Sequence, residues 1–222
     1  MAQYVMSDIH GEYEKFKKML DLIQFSKQDK LYILGDVVDR GNSPIPTLQH
    51  IIRTPNMFMI LGNHEELFLD AILHNDFNLW FANGGFITYA QYIALNPQDK
   101  KEILEYINRL PLCITLDNFV LVHSGIIPAK EPSRWENAQF KQLRDAFLWS
   151  REEFYMKPTQ MDKTIIFGHT PTCNITNQTP MKIWHDPTYH DKIGIDCGAT
   201  FKIHGGRLAC LNLDTMAEYY VE

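Results

Sequence analysis

Acidic, imidazole and amide side chains recur along this chain at the ends of short apolar runs. The densest case is Leu31-Tyr32-Ile33-Leu34, which stops at Gly35 and delivers Asp36, Asp39 and Arg40. A carboxylate backed by apolar neighbours is costly to bury unless it meets a cation. Four other runs have the same form. Tyr4-Val5-Met6 leads to Asp8 and His10, and Met57 to Leu61 leads to Asn63 and His64. Phe119 to Val122 leads to His123, and Thr164 to Phe167 leads to His169. Asp8 and His10 lie two apart, so on a continued strand both would face one way while Ile9 packs behind. Carboxylate oxygens mixed with imidazoles suit a divalent transition ion such as manganese, iron or zinc better than calcium or magnesium.

The elements that would position these residues follow from periodicity. Tyr13, Phe16, Met19, Leu20 and Ile23 fall at helical spacing after the first strand. Pro44 and Pro46 open a second helix that turns Leu48, Ile51 and Ile52 inward and ends by Pro55. Glu65 and Glu66 fall in the first turn of a third helix, where acidic residues suit the helix dipole. Three β-α units with short links imply parallel strands. Between about 75 and 110 helices follow without strands, with Phe77, Trp80 and Phe81 expected as core and a Gly84-Gly85 break. This segment reads as a helical insertion capping one end of the sheet. Asp117-Asn118 then forms a hairpin turn, so the chain is expected to become antiparallel from there. A helix from Asn137 to Leu148 and several short strands complete it. The expected fold is α/β, with two packed mixed β-sheets flanked by helices, in one domain spanning 1–222.

At 222 residues and 45% apolar content the chain can bury a sizeable core. Its net charge of -6 argues against general nucleic-acid binding, which needs a basic surface. No run approaches a membrane span and no leader precedes the first strand, which implies a cytoplasmic protein without membrane contact. Cys113, Cys173, Cys197 and Cys210 are scattered and read as reduced core thiols. His185 and His190, which bracket Asp186 and Pro187, read as a solvated hairpin rather than a further metal site.

Ser7-Asp8-Ile9-His10-Gly11, Gly35-Asp36-Val37-Val38-Asp39-Arg40-Gly41, Gly62-Asn63-His64-Glu65, His123-Ser124-Gly125 and Gly168-His169-Thr170 come in an order that resembles the calcineurin-like metallophosphoesterases. The likeness is to the phosphoprotein phosphatase branch, and within it to small bacterial and phage serine/threonine protein phosphatases. That resemblance implies two divalent ions, manganese by preference with iron or zinc also suitable. Asp8, His10 and Asp36 would hold one ion, and Asn63, His123 and His169 the other, with Asp36 bridging. Two ions roughly 3.5 to 4 Å apart clamp a phosphate and hold a bridging water acidic enough to attack as hydroxide. The resemblance makes His64 the general acid, oriented by Asp39, with Arg40 and Arg151 gripping phosphate. Ser7 departs from the usual glycine, and Ser124 from the usual glycine or alanine.

The reaction implied is hydrolysis of phosphomonoesters, on a phosphorylated protein (serine/threonine, with tyrosine open) or a small phosphoester. The alternative is a dinucleoside polyphosphate hydrolase of the diadenosine tetraphosphate type, which shares the motifs. A scaffold that binds phosphorylated partners without turnover would require damage to the ligand set or to His64, and neither is present. Arg151 alone could instead cap a helix C-terminus. Oligomeric state has no signature here.

Overall fold

A computed structural model describes residues 1–127, 140–202 and 205–222. The first half alternates as expected: β1 (Gln3–Met6), α1 (Tyr13–Leu22), β2 (Lys30–Ile33), α2 (Pro44–Ile52), β3 (Met57–Met59) and α3 (Asn63–His74). Three helices follow, α4 (Asn78–Ala82), α5 (Phe86–Ile93) and α6 (Pro97–Asn108). Then come β4 (Cys113–Thr115), β5 (Phe119–Val122), α7 (Phe140–Trp149) and α8 (Glu152–Tyr155). The chain continues through β6 (Thr164–Phe167), α9 (Thr172–Thr176), β7 (Trp184–His185), β8 (Lys192–Gly194), β9 (Leu208–Asn212) and β10 (Glu218–Val221). The expected helix start at 137 lies outside the described residues.

These strands form two five-stranded mixed sheets, ordered β10-β9-β1-β2-β3 and β4-β5-β6-β8-β7. In the first, β1, β2 and β3 are parallel and the C-terminal strands β9 and β10 add antiparallel. In the second, β5, β6 and β8 are also parallel, and only the edge strands β4 and β7 run against them. This corrects the expectation of an antiparallel second half. The segments joining β5 to β6 and β6 to β8 are long enough to carry α7, α8 and α9, and parallel strands need such crossovers.

Side chains alternate along each strand between two buried environments. Val5, Tyr32, Leu34, Ile60 and Leu211 on the first sheet's side meet Leu121, Ile166 and Ile193 of the second in the layer between the sheets. Tyr4, Met6, Leu31 and Ile33 face the other way, onto Phe16, Met19, Leu48 and Ile51 of α1 and α2. Val120, Val122, Ile165 and Phe167 likewise pack on Leu143, Phe147 and Phe154 outside the second sheet. The helices expected as an end cap bury Trp80, Tyr92, Ile103 and Ile107 in the same cluster as Phe16 and Leu48, so they extend the outer helical layer.

The parallel strands of both sheets bring their carboxyl ends to one edge of the sandwich, where the loops after β1 and β2 lie side by side. Asp8 N–H donates to Gly35 O at 3.3 Å, His10 N–H to Asp36 O at 2.9 Å and Gly11 N–H to Val37 O at 2.8 Å. Gly35 has φ +82°, and a Cβ there would lie 2.5 Å from both N and Cα of Gly62. Gly35→Ala should therefore lower the free energy of unfolding by at least about 2 kcal/mol, since strain and overpacking add. Urea midpoints equal to wild type would show that the loops after β2 and β3 part readily to admit a methyl group.

Candidate active site

Six of the residues singled out in the sequence sit in left-handed backbone: Asp8 (φ 51°), His10 (45°), Asp36 (52°), Asp39 (70°), Arg40 (64°) and His169 (63°). Residues with a Cβ pay about 1–2 kcal/mol for this region. Such strain persists only where the surroundings over-determine it. β1 ends at Met6, so Asp8 and His10 reach a common space through a tight turn, not through strand alternation as expected. Asn63 and His64 are the first two residues of α3.

Glu65 holds the strained loop in place. Its carboxylate accepts four backbone N–H groups, from Asp36 (2.8 Å), Val37 (2.8 Å), Val38 (3.1 Å) and Gly62 (3.1 Å). Burial, then the Asp36 charge, push this carboxyl up to about 8, and the backbone donors pull the other way. Every one of those partners is a donor, so the geometry favours the ionised acceptor. As an acidic residue in the first turn of α3, Glu65 also suits the helix dipole. The signal available was its place three residues after Gly62, the spacing at which a helix's third residue caps its own start.

Around Asp36 the imidazoles converge. His10 Nε2 lies 3.7 Å and His64 Nε2 3.9 Å from Asp36 Oδ2, and His123 Nε2 lies 3.5 Å from Oδ1. Asn63 Oδ1 is 2.9 Å from both His123 Nε2 and His169 Nδ1. Asp8 Oδ2 accepts the His169 backbone N–H at 2.9 Å and the Ser7 hydroxyl, so the serine replacing the usual glycine contacts the carboxylate directly. Ser124 instead ties its strand end to α7, donating to Ala146 O at 3.1 Å and accepting Ser150 N–H at 3.0 Å.

Asp39 is fully buried and ringed by donors: His64 Nδ1 at 2.7 Å, Trp80 Nε1 at 2.9 Å and Thr88 Oγ1 at 2.5 Å. Burial pushes its carboxyl up to about 7, while Thr88 and Trp80 favour the anion. Trp80 also stacks on Phe68, so it serves the core and the site together. Neither Trp80 nor Thr88 was assigned a site role from sequence. With Nδ1 donating to Asp39, His64 Nε2 is an acceptor, and Arg40 donates to it at 2.8 Å and to His10 Nε2 at 2.8 Å. Burial and then Arg40 hold His64 well below the usual histidine range. Arg151 is exposed and leans on His169 O (3.4 Å) and Thr170 Oγ1 (3.5 Å), at the rim of the same space.

With this geometry in hand, a calcineurin-like phosphoesterase family model matches residues 1–206. The chain belongs to that family. It is 29% identical to a serine/threonine-protein phosphatase 2 of Salmonella typhimurium, over 88% of this chain and 87% of that one. It is also 35% identical to a symmetrical bis(5'-nucleosyl)-tetraphosphatase of Wigglesworthia glossinidia brevipalpis, over 58% of this chain; that match spans less than half, 46%, of the relative. Among solved structures, a serine/threonine phosphatase from Saccharomyces cerevisiae superposes with a TM-score of 0.67 at 14% identity, covering 96% of this chain and 72% of that one.

Calcineurin-like phosphoesterases work with divalent cations, and the residues present suit them. Two buried groups, His10-Asp36-His64 and Asp36-His123-His169, each bring their ligand atoms within 4.8 Å of one another and share Asp36. His10 Nδ1 and His123 Nδ1 are 2.9 Å and 2.6 Å from the carbonyls of Val38 and Leu34, which fixes the tautomer that leaves Nε2 a lone pair facing Asp36. Among the described residues His169 Nε2 is buried without a hydrogen-bond partner. Burial first, then carboxylate repulsion, raise Asp8 to about 6; burial raises Asp36 to about 7. A cation would offset both.

Glu65→Gln tests the clamp beneath this arrangement, because it keeps size and turns one oxygen into a donor facing donors. It should cost on the order of 2–4 kcal/mol. Chemical denaturation measures it, and wild-type stability in the variant would mean that the Asp36 loop holds its left-handed shape without the charge.

Proposed function

We propose that the protein is a metal-dependent phosphomonoesterase acting on phosphoserine and phosphothreonine in proteins. The observation that carries the reaction class is the pairing of the Asp36-centred acceptor array with the Asp39–His64 dyad beside it. Asp8, His10 and Asp36 would hold one divalent cation, and Asp36, Asn63, His123 and His169 a second. The donor mixture suits manganese, iron or zinc. When bound, such a pair polarises phosphoryl oxygens and makes water acidic enough to attack near neutral pH.

The remaining roles fall to side chains around that centre. Arg40 presents two N–H groups beside His10 and His64, where a phosphate would meet them as a fork. Arg151 would add a second cationic contact from the rim, at the place its guanidinium reaches Thr170. Asp39 holds the proton of His64 on Nδ1 and orients Nε2, the atom that would protonate the departing oxygen. An ionised carboxylate at 2.7 Å and an arriving phosphate both favour the imidazolium this role needs.

The substrate assignment rests on two observations. The Salmonella relative aligns over most of both chains. Beside Arg151 a cleft of about 450 Å³ is lined by Glu152, Glu153, Tyr155, Thr170 and Asn174, so its described lining is not the basic surface that a long polyphosphate needs. The second reading, a dinucleoside polyphosphate hydrolase, is favoured by the 35% identity to the tetraphosphatase segment. The deciding experiment compares kcat/KM of the manganese-reconstituted enzyme on a phosphoserine peptide and on diadenosine tetraphosphate. The peptide should be preferred, and the reverse order would hand the assignment to the second reading.

His64→Asn separates proton transfer from metal assembly. It should leave manganese content unchanged and slow hydrolysis of a phosphoserine peptide by roughly 100- to 10,000-fold. Nitrophenolate leaves without a proton, so p-nitrophenyl phosphate should suffer much less where bond cleavage limits both rates. Equal losses on both substrates, or loss of metal from the variant, would place His64 in phosphate binding or among the ligands.

A further inference from the structure

Five parallel strand ends supply the site described above, but the two sheets contain six parallel strands. The sixth is β8, and its end carries a buried carboxylate that no role has yet absorbed. β8 pairs with β6 in the register Phe167↔Gly194, and Ile195 N–H donates to Phe167 O at 2.9 Å beyond the last pair. Counting two residues on from that register sets Asp196 beside His169. The Asp196 carbonyl accepts Thr172 N–H at 2.8 Å, which fastens it to the segment just past His169. Asp196 is only 4% exposed.

Its carboxylate is poorly provided for. Among the described residues the one hydrogen bond it accepts comes from Gly198 N–H to Oδ1, at 2.8 Å. That contact closes a tight turn, which an asparagine would close equally well without burying a charge. Burial and then the Asp8 charge push Asp196 well above the usual carboxylate range, with Arg40 and Arg151 acting the other way. Asp196 also contributes to the upward shift of Asp36. It stands beside His169, whose own N–H is bonded to Asp8 Oδ2 at 2.9 Å, and so lies within electrostatic reach of that carboxylate.

We infer that Asp196 is a further anionic member of the metal centre, acting on the divalent cation held beside Asp8 and His10. The inference rests on the reading that Asp8, His10 and Asp36 hold that cation. Oδ1 keeps the turn, and the second oxygen adds negative charge to the cation's surroundings. Among the described residues His169 Nε2, one strand over and assigned to the neighbouring cation, is buried without a hydrogen-bond partner, which places Asp196 at the border of the two proposed ion sites. Asp196 is a positioning and charge-supplying residue, with no part in proton transfer.

Asp196→Asn keeps the acceptor for Gly198 and removes the charge. Metal-stripped wild type and variant are titrated with Mn2+ by calorimetry, and thermal unfolding is followed with and without Mn2+. Wild type should bind two ions. The variant should bind one as wild type does and the other roughly 10- to 100-fold more weakly, the range found when groups supporting a metal site are removed. Its metal-free unfolding temperature should be unchanged or higher, because a charge repelled by Asp8 is gone, while the rise produced by Mn2+ shrinks. Identical isotherms overturn the inference. So does an equal fall in unfolding temperature with and without metal, which would reduce Asp196 to a turn former. A wild type that takes up no Mn2+ defeats the two-cation reading itself, an outcome distinct from either. Asp196→Ser, whose hydroxyl can still accept from Gly198, gives the same comparison if the asparagine variant does not fold.

Discussion

The site depends on one anion that never faces the substrate space. Glu65 gathers the backbone N–H groups of Asp36, Val37, Val38 and Gly62 onto its two oxygens, and so binds the loop after β2 to the start of α3. Without it those amides would be buried donors lacking partners, each a cost of about 1–3 kcal/mol. With it, the left-handed conformations of Asp36, Asp39 and Arg40 are affordable, and the side chains splay toward His10, His64 and His123. A carboxylate in the interior thus shapes the loop that displays the functional carboxylates.

Charge balance explains much of what surrounds that loop. Asp8, Asp36 and Asp39 are all nearly inaccessible to water, and all are raised by burial. Each is answered differently. Asp39 has a ring of neutral donors drawn from α3, α4 and α5, which keeps it an acceptor for His64. Asp36 accepts one amide, His64 N–H at 3.0 Å, with Arg40 nearby, and Asp8 accepts a hydroxyl and one amide. Asp39 is the best provided with protein donors, and Asp8 and Asp36, with two and one, are the carboxylates left to an external cation.

Much of this was legible in the chain because apolar runs end where the backbone leaves the sheet, and polar residues at those points have few other reasons to be there. The helices α1 and α2 and the strand β6 fall where periodicity put them. Other features depend on contacts that a local reading does not reach. The parallel pairing of β5, β6 and β8 is decided by long crossovers, whereas the Asp117-Asn118 turn speaks only for its own hairpin. Trp80 and Thr88 lie 41 and 49 residues from Asp39, and Trp80 has an adequate explanation as core. Asp196 differs from these in that its signal is local. It follows Ile193-Gly194-Ile195, and the rule that found the other strand ends applies to it as well.

The hydrogen bond between His123 Nδ1 and Leu34 O, at 2.6 Å, joins the end of β5 to the end of β2 and so crosses from one sheet to the other. Asn63 and His169 cross the same seam. Contacts of this kind close loops of roughly a hundred residues, and such closures are slow because their entropy is lost before any contact repays it. The centre is therefore a late product of folding: a chain leaving the ribosome exposes Asp8, His10 and Asp36 long before β6 exists to complete the set. Until then the early residues lack His123 and His169, and the geometry around Asp36 is complete only with the finished sandwich.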